Sequence, residues 1–129
     1  MKPDNIQKNI HLKKIGTYGK SQELGRVLGH KGVMEILYLL NESPRQYKHL
    51  VKELRLANAT LEVAINQLEA IQIIKTMPIT SNNRETHQYH LTSIGVELMR
   101  FISSYEKIIN LPNSQQKIVV TTNQLYSKE

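Results

Sequence analysis

The feature that most constrains this chain is a pair of amphipathic segments separated by only three residues. The first segment, Tyr47–Leu54, and the second, Asn58–Ala70, both carry apolar residues at the i, i+3, i+4 and i+7 spacing of a helix buried on one face. The turn Arg55–Ala57 joins them, and Asn58 is predicted to be the N-cap of the second helix. Two helices joined by so short a turn have the spacing of a helix-turn-helix motif. The apolar residues of the second helix are Leu61, Ala64, Ile65 and Leu68.

Two further helices are predicted before this pair. Ser21 is a suitable N-cap for a short helix over Gln22–Leu28. Val33–Leu40 has four apolar residues on one face and is a strong helix candidate. Gly16 and Gly19 interrupt any helical pattern farther upstream, so a short strand or an extended arm is expected there.

A β-hairpin is predicted directly after the pair. Ile71–Thr80 is rich in β-branched and apolar residues, and Glu85–Leu91 alternates between two faces. The polar turn Ser81–Arg84 connects the two strands. A hairpin that follows the last helix of a helix-turn-helix is a wing, and the segment Arg45–Tyr47 is long enough for a stub of a third strand.

The last predicted helix runs over Ser93–Asn110 and is capped by Thr92. Its apolar stripe is wide for a monomer of this size, and such a helix often buries its second face against a partner subunit. We therefore predict a homodimer through this helix and the short helix Gln22–Leu28. The candidate interface residues are Leu24, Val27, Leu98, Phe101, Ile102, Tyr105 and Ile109. Farther on, the β-prone run Lys117–Thr122 favours a final strand.

The net charge of +6 is concentrated near the N-terminus. Residues 1–31 hold seven Lys or Arg against two Asp or Glu, whereas basic and acidic residues balance over residues 32–91. The basic segment is either an arm that touches the phosphates of a polyanionic partner or a solvated tail that aids solubility.

Four short motifs stand in order along the chain: Leu28-Gly29-His30-Lys31, Ser43-Pro44-Arg45-Gln46-Tyr47-Lys48-His49-Leu50, Leu61 with Ile65-Asn66-Gln67-Leu68-Glu69, and Tyr89-His90-Leu91-Thr92-Ser93-Ile94-Gly95. In order and spacing they resemble the motifs of winged helix-turn-helix regulators of the HxlR family, within the broader MarR-like group. The resemblance runs from about Leu24 to Phe101 and implies a homodimeric transcription factor. Gly32 stands where this family usually has Trp, and Gln72 stands where it usually has Gly.

The helix Asn58–Ala70 is predicted to be the recognition helix that lies in the major groove of DNA. Asn66 and Gln67 are suited to bond adenine, and Thr60 and Val63 are suited to touch thymine methyl groups. The helix has no Arg or Lys and includes Glu62, which argues against strong guanine readout. We expect an A·T-leaning site; the alternative for this segment alone is an ordinary amphipathic surface helix.

Cationic and polar side chains near the recognition helix are the candidates for contacts with phosphates. Arg84 is the best of them, because a hairpin tip can enter the minor groove. The alternative for each charged member is a solvated surface charge. The candidates are Arg45, Lys48, Lys52, Arg55, Lys75, Asn82, Asn83 and Arg84.

The predicted fold is mainly α with a small β-hairpin wing (α+β), a winged helix-turn-helix that dimerises through its terminal helices. Its parts are a basic N-terminal arm at 1–20, a winged domain with a C-terminal dimerisation helix at 21–110, and a C-terminal extension with the predicted strand at 111–129.

Several classes of site are not expected in this chain. It has no cysteine, which excludes thiol redox sensing, and no apolar run approaches 18 residues, so we expect a cytoplasmic protein without a membrane segment. The five histidines lack the spacing of metal ligands, and motifs of enzymes are absent. No catalytic residue, cofactor or metal is therefore expected, and the sequence identifies no small-molecule effector.

The expected function is that of a sequence-specific transcriptional regulator that binds double-stranded DNA as a homodimer, associated with the nucleoid. The recognition helix would enter the major groove and the wing the minor groove. Two alternatives stay open. One is a winged-helix protein–protein interaction module without base readout, and the other is a chromatin-like protein that coats DNA without sequence preference.

Overall fold

The computed structural model describes residues 19–119 and shows helices packed on a small sheet. Its elements are α1 over 19–28, α2 over Val33–Glu42, β1 over Arg45–Gln46, α3 over Tyr47–Leu54, α4 over Asn58–Ala70, β2 over Ile74–Ser81, β3 over Arg84–Leu91, α5 over Ser93–Ile109 and a 3₁₀ turn over Asn113–Gln115. The strand or arm predicted before Gly19 lies outside the described residues.

The sheet is antiparallel and has the strand order β1-β3-β2. Strands β2 and β3 pair over their full eight residues and are joined by Asn82 and Asn83, which have φ angles of 54° and 62°. Two successive positive φ angles are those of a type I′ turn, and Asn tolerates this left-handed conformation better than most residues. This hairpin is the predicted wing. The pairing of Arg45–Gln46 with β3 confirms the predicted strand stub.

The core is formed by one face of each helix from α1 to α4, with β2 and the first half of α5. The apolar residues that the helical spacing predicted in α2 and α4 are all buried. Burying one such aliphatic side chain stabilises a fold by about 1.5–3 kcal/mol relative to leaving it exposed. The large side chains that are fully buried are Ile36, Leu37, Leu50, Leu61, Leu68, Ile74, Met99, Val27 and Val33.

The two residues that depart from the HxlR pattern both have positive φ angles. Gly32 precedes α2 with a φ of 87°, and a Cβ atom there would lie 2.7 Å from Leu56 Cδ1. Gln72 has a φ of 65° directly after α4, a position where glycine avoids the steric cost of the left-handed conformation. The backbone N–H of Ile73 donates to the Leu68 carbonyl (3.0 Å) and that of Gln72 to the Glu69 carbonyl (3.0 Å). These two bonds form a Schellman motif, which ends α4.

This Schellman turn is bound by the segment that begins α5. The Thr92 backbone N–H donates to the Ile73 carbonyl (3.0 Å), and the Thr92 hydroxyl donates to the Gln72 carbonyl (2.6 Å). The same hydroxyl oxygen accepts the Gly95 N–H (3.1 Å), so Thr92 caps α5 as predicted. A Cβ atom on Gly95 would overlap the Ile73 carbonyl oxygen. Residue 95 must therefore be glycine for α5 to begin this close to the end of α4.

Several predicted boundaries are wrong. Ser21 is not an N-cap, because α1 already includes Gly19. Asn58 is the first residue of α4 rather than its cap, and its side-chain oxygen instead lies 3.4 Å from the Tyr47 hydroxyl. The strand predicted from Ile71 begins at Ile74, since the preceding residues form the Schellman turn.

Residues 100–119 belong to a second compact unit. They comprise the end of α5, a stop at Pro112 and the 3₁₀ turn. The Gln116 amide donates to the carbonyls of Leu111 (2.9 Å) and Ile108 (3.4 Å) and so satisfies the end of the helix. The described residues 117–119 of the predicted final strand have no regular structure. None of the helices in the range 19–119 is both long and apolar enough to cross a membrane.

Substituting Gly95→Ala tests the close approach of α5 to the Schellman turn. We expect it to lower the free energy of unfolding by at least about 2 kcal/mol, because a Cβ atom would displace the Ile73 backbone. Chemical denaturation followed by circular dichroism measures the loss.

Gly25→Ala is the matched control. Gly25 lies in α1, and apart from its own stretch of helix nothing lies within 4 Å of its Cβ position, so alanine there should raise stability by about 0.5–1 kcal/mol through helix propensity. A Gly95→Ala variant as stable as the wild type would show that the contact is not tight.

Candidate nucleic-acid interface

Helix α4 exposes a face of small and amide side chains opposite its buried stripe. Val63 and Asn66 are exposed, whereas Thr60 and Gln67 are half-buried on one flank of this face. The Gln67 side-chain oxygen is buried and has no hydrogen-bond donor among the described residues. Of the four predicted base contacts, Val63 and Asn66 are therefore the more accessible.

The other flank of α4 is acidic and borders a cleft of about 300 Å³. The cleft is lined by Tyr47, Glu62, Ile65, Asn66, Glu69 and Tyr89. Burial raises the pKa of the Tyr89 hydroxyl, and the negative charge of Glu69 raises it further. Desolvation and the charge of Glu62 likewise raise the pKa of Tyr47. Both phenols therefore stay protonated and uncharged at neutral pH and can donate hydrogen bonds.

Two side-chain contacts attach α4 to its neighbours. The Thr76 hydroxyl on β2 donates to the Glu69 carboxylate (2.5 Å), a short charge-assisted bond between the wing and the end of α4. At the other end, the Tyr47 hydroxyl at the start of α3 lies within 3.5 Å of the Asn58 carbonyl. Together with the binding of the Schellman turn, these contacts define the position of α4 relative to the sheet.

Sequence reasoning missed this cleft and the role of Glu69. Tyr47, Glu69 and Tyr89 lie in separate stretches of the sequence, and they come together only in the folded chain. The one local signal is their presence in three of the four family-like motifs.

The side chains predicted to contact phosphates differ in their exposure and in whether they form ion pairs. Lys48, Lys52 and Arg55 are exposed on α3 and its C-cap, and none forms an ion pair within residues 19–119. Arg45 is instead half-buried. Its guanidinium lies 3.4 Å from the Glu53 carboxylate and donates to the Ser43 carbonyl, so its charge is partly neutralised locally.

The wing carries the other predicted phosphate contacts. Lys75 on β2 is exposed, and Asn82, Asn83 and Arg84 are exposed at the tip. Because the turn has only two residues, it places Arg84 at the end of the hairpin, as predicted.

The predicted dimer residues also fall into accessible and inaccessible groups. Val27 has no exposed surface and packs in the core, so it is not available to a partner. Leu24, Leu98 and Ile102 are half-buried. The exposed members, all in residues 100–109, are Phe101 (69% exposed), Tyr105 (57%) and Ile109 (52%).

No group of three or more His, Asp or Glu residues in the described part of the chain could hold a metal ion.

A family model described as HxlR-like helix-turn-helix matches residues 27–117 of the chain. The fold is similar to that of the reduced transcriptional regulator YodB from B. subtilis, with a TM-score of 0.62 and 18% identity, over 69% of this chain and 87% of that one. It is also similar to a transcriptional regulator homologue from Pyrococcus horikoshii OT3, with a TM-score of 0.56 and 25% identity, over 69% and 95% of the two chains.

A third similar structure is the homodimeric winged helix-turn-helix DNA-binding domain of Mb0332 from Mycobacterium bovis. Here the TM-score is 0.57 at 12% identity, over 78% of this chain and 94% of that one. No protein of curated function matches the sequence significantly. These likenesses establish the winged helix-turn-helix fold that the sequence predicted.

Substituting Thr76→Val tests the bond between the wing and α4. The change keeps the shape of the side chain and removes the donor to Glu69, so we expect a loss of about 1–2 kcal/mol in the free energy of unfolding. The control is Thr80→Val, at an exposed position of the same strand, where the effect should stay within about 0.5 kcal/mol. Equal effects at both positions would contradict a specific role for the Thr76 hydroxyl.

Proposed function

Because the chain belongs to the HxlR-like helix-turn-helix family, as its motifs predicted, we propose that it is a sequence-specific transcriptional regulator that binds double-stranded DNA as a homodimer. The family and the fold are those of transcriptional regulators. The observation that carries the proposal is the exposed face of α4, which presents Val63 and Asn66 on a helix attached to its neighbours at both ends.

In the proposed complex α4 lies in the major groove and the wing reaches the minor groove. Asn66 would bond adenine, and Val63 and Thr60 would contact thymine methyl groups, which favours A·T pairs. Most of the affinity would come from phosphates, because α4 itself carries no cation. The exposed side chains of Lys48, Lys52, Arg55, Lys75 and Arg84 and the basic segment 1–20 are the proposed sources.

The proposed homodimer uses the exposed apolar side chains of residues 100–109. Phe101, Tyr105 and Ile108 recur at i, i+4 and i+7 of α5 and are each more than half exposed. Large exposed apolar side chains in a continuous stripe are typical of a surface that another protein covers. A twofold dimer would read a pseudo-palindrome with half-sites about one helical turn apart.

Because α4 contains no Arg or Lys, a second function is also considered, that of a winged-helix module that binds another protein. A selection of duplexes from a random pool, followed by gel shifts with selected and scrambled DNA, separates the possibilities. The proposed regulator enriches an A·T-leaning pseudo-palindrome. An interaction module binds no DNA. A coating protein binds every duplex equally and loses binding when residues 1–20 are removed.

Arg84→Ala should weaken binding to the selected duplex and reduce the slope of log affinity against log salt by about one, because one phosphate contact is lost. Fluorescence anisotropy at several salt concentrations measures both quantities. Lys107→Ala, on α5 outside the proposed surface, is the control and should leave the slope unchanged. An unchanged slope for Arg84→Ala would show that the wing tip does not touch phosphate.

Phe101→Glu tests the dimer. Burying an unpaired carboxylate in an apolar interface is costly, so sedimentation equilibrium at micromolar concentration should give the monomer mass of 14.9 kDa for this variant and twice that mass for the wild type. Lys107→Glu places a carboxylate elsewhere on the same helix and should remain dimeric. A monomeric wild-type protein would refute the proposed dimer.

A further inference from the structure

The two carboxylates on the acidic flank of α4 are in different states. Glu69 is half-buried, and its carboxylate accepts a hydrogen bond from the Thr76 hydroxyl on the wing (2.5 Å). Glu62 lies two turns earlier on the same flank, is exposed, and forms no hydrogen bond or ion pair within residues 19–119. Its neighbours in the cleft, Tyr47 and Tyr89, carry no positive charge that could neutralise it. Within the described part of the chain, Glu62 is therefore a free acceptor at the edge of the exposed face of α4.

A free carboxylate in a major groove has few acceptable partners. It can only accept hydrogen bonds, and the donors at base edges in this groove are the amino groups of cytosine and adenine. The N7 and O6 atoms of guanine and the O4 atom of thymine are themselves acceptors and repel it. Glutamate pairs with the cytosine amino group, whereas adenine is matched better by an amide such as Asn66.

From this geometry we propose that Glu62 is a specificity-determining residue that selects cytosine at one position of each half-site by accepting its N4 amino group. The proposal rests on the proposed function, since it requires α4 to lie in the major groove. Asn66 stands one helical turn beyond Glu62, at i+4, and is also exposed. The two side chains together would read a cytosine and a neighbouring adenine, adding a C·G pair to an otherwise A·T-leaning site.

The same carboxylate should also weaken DNA binding, and this effect makes its role measurable. Its negative charge near the phosphates lowers the affinity for every duplex. A variant with a neutral residue at position 62 should therefore bind duplexes of any sequence more tightly than the wild type does. If Glu62 merely supported the fold, replacing it would not raise the affinity for DNA and lower the sequence selectivity at the same time. Because Glu62 is exposed and has no bonded partner among the described residues, Glu62→Gln and Glu62→Ala should keep the wild-type melting temperature.

The test begins with duplexes selected by the full-length wild-type chain from a random pool. Two further duplexes are then made from the selected one. In one the enriched cytosine is replaced by thymine, and in the other by pyrimidin-2-one, which lacks only the amino group. The wild type should lose about tenfold in affinity for either duplex. Glu62→Ala should bind the cytosine and pyrimidin-2-one duplexes within about twofold of each other, because it has no acceptor to lose.

The matched control is Glu35→Gln, which removes one exposed carboxylate from α2 and should keep the cytosine preference. A selected site without an enriched cytosine, or a cytosine preference that survives in Glu62→Ala, would overturn the role of Glu62 while leaving the regulator intact. If the wild type selects no sequence at all, the proposed function itself fails, and the inference fails with it.

Discussion

The end of α4 is held by one set of hydrogen bonds and close contacts, those between the Schellman turn and the start of α5. Thr92 bonds both carbonyls of the turn, at Gln72 and Ile73, while Gly95 lets the first turn of α5 lie against the Ile73 backbone. The end of α4, the start of β2 and the start of α5 therefore meet within a few residues. All three elements share this contact.

In the proposed complex, different side chains would supply the affinity for DNA and the selectivity for its sequence. The cations Lys48 and Lys52 on α3, and Lys75 and Arg84 on the wing, are exposed, whereas α4 presents amide, aliphatic and acidic side chains. Phosphate contacts act on all sequences alike, and base-edge contacts distinguish between them. In the proposed complex, a recognition helix without cations contributes little to non-specific binding. Its one free carboxylate would oppose wrong base edges as well as favouring the right one.

The helical periodicity predicted most of the fold because burial follows it closely. Tyr47–Leu54 has the predicted bounds, α4 ends at Ala70 as predicted, and the alternating strands pair as a hairpin. The errors occur where a local preference competes with a contact made at a distance. Asn58 is a good N-cap by type, but it starts the helix itself and lies beside Tyr47, eleven residues away. The residues from Ile71 are β-prone, but they form the Schellman turn that ends α4, and Thr92 bonds the Gln72 and Ile73 carbonyls of that turn.

The sequence by itself determined which face of α4 is buried, where the wing turns, and that α4 carries no cation, because these follow from residue spacing and type. Only the tertiary structure decided the state of the two glutamates on its acidic flank. Glu62 and Glu69 are chemically identical, and both stand on the same side of the helix. Thr76 on β2, which pairs with β3, donates to Glu69, whereas Glu62 forms no hydrogen bond or ion pair with any residue in the range 19–119. This difference arises from contacts between separate elements, which the spacing of residues along one helix does not contain.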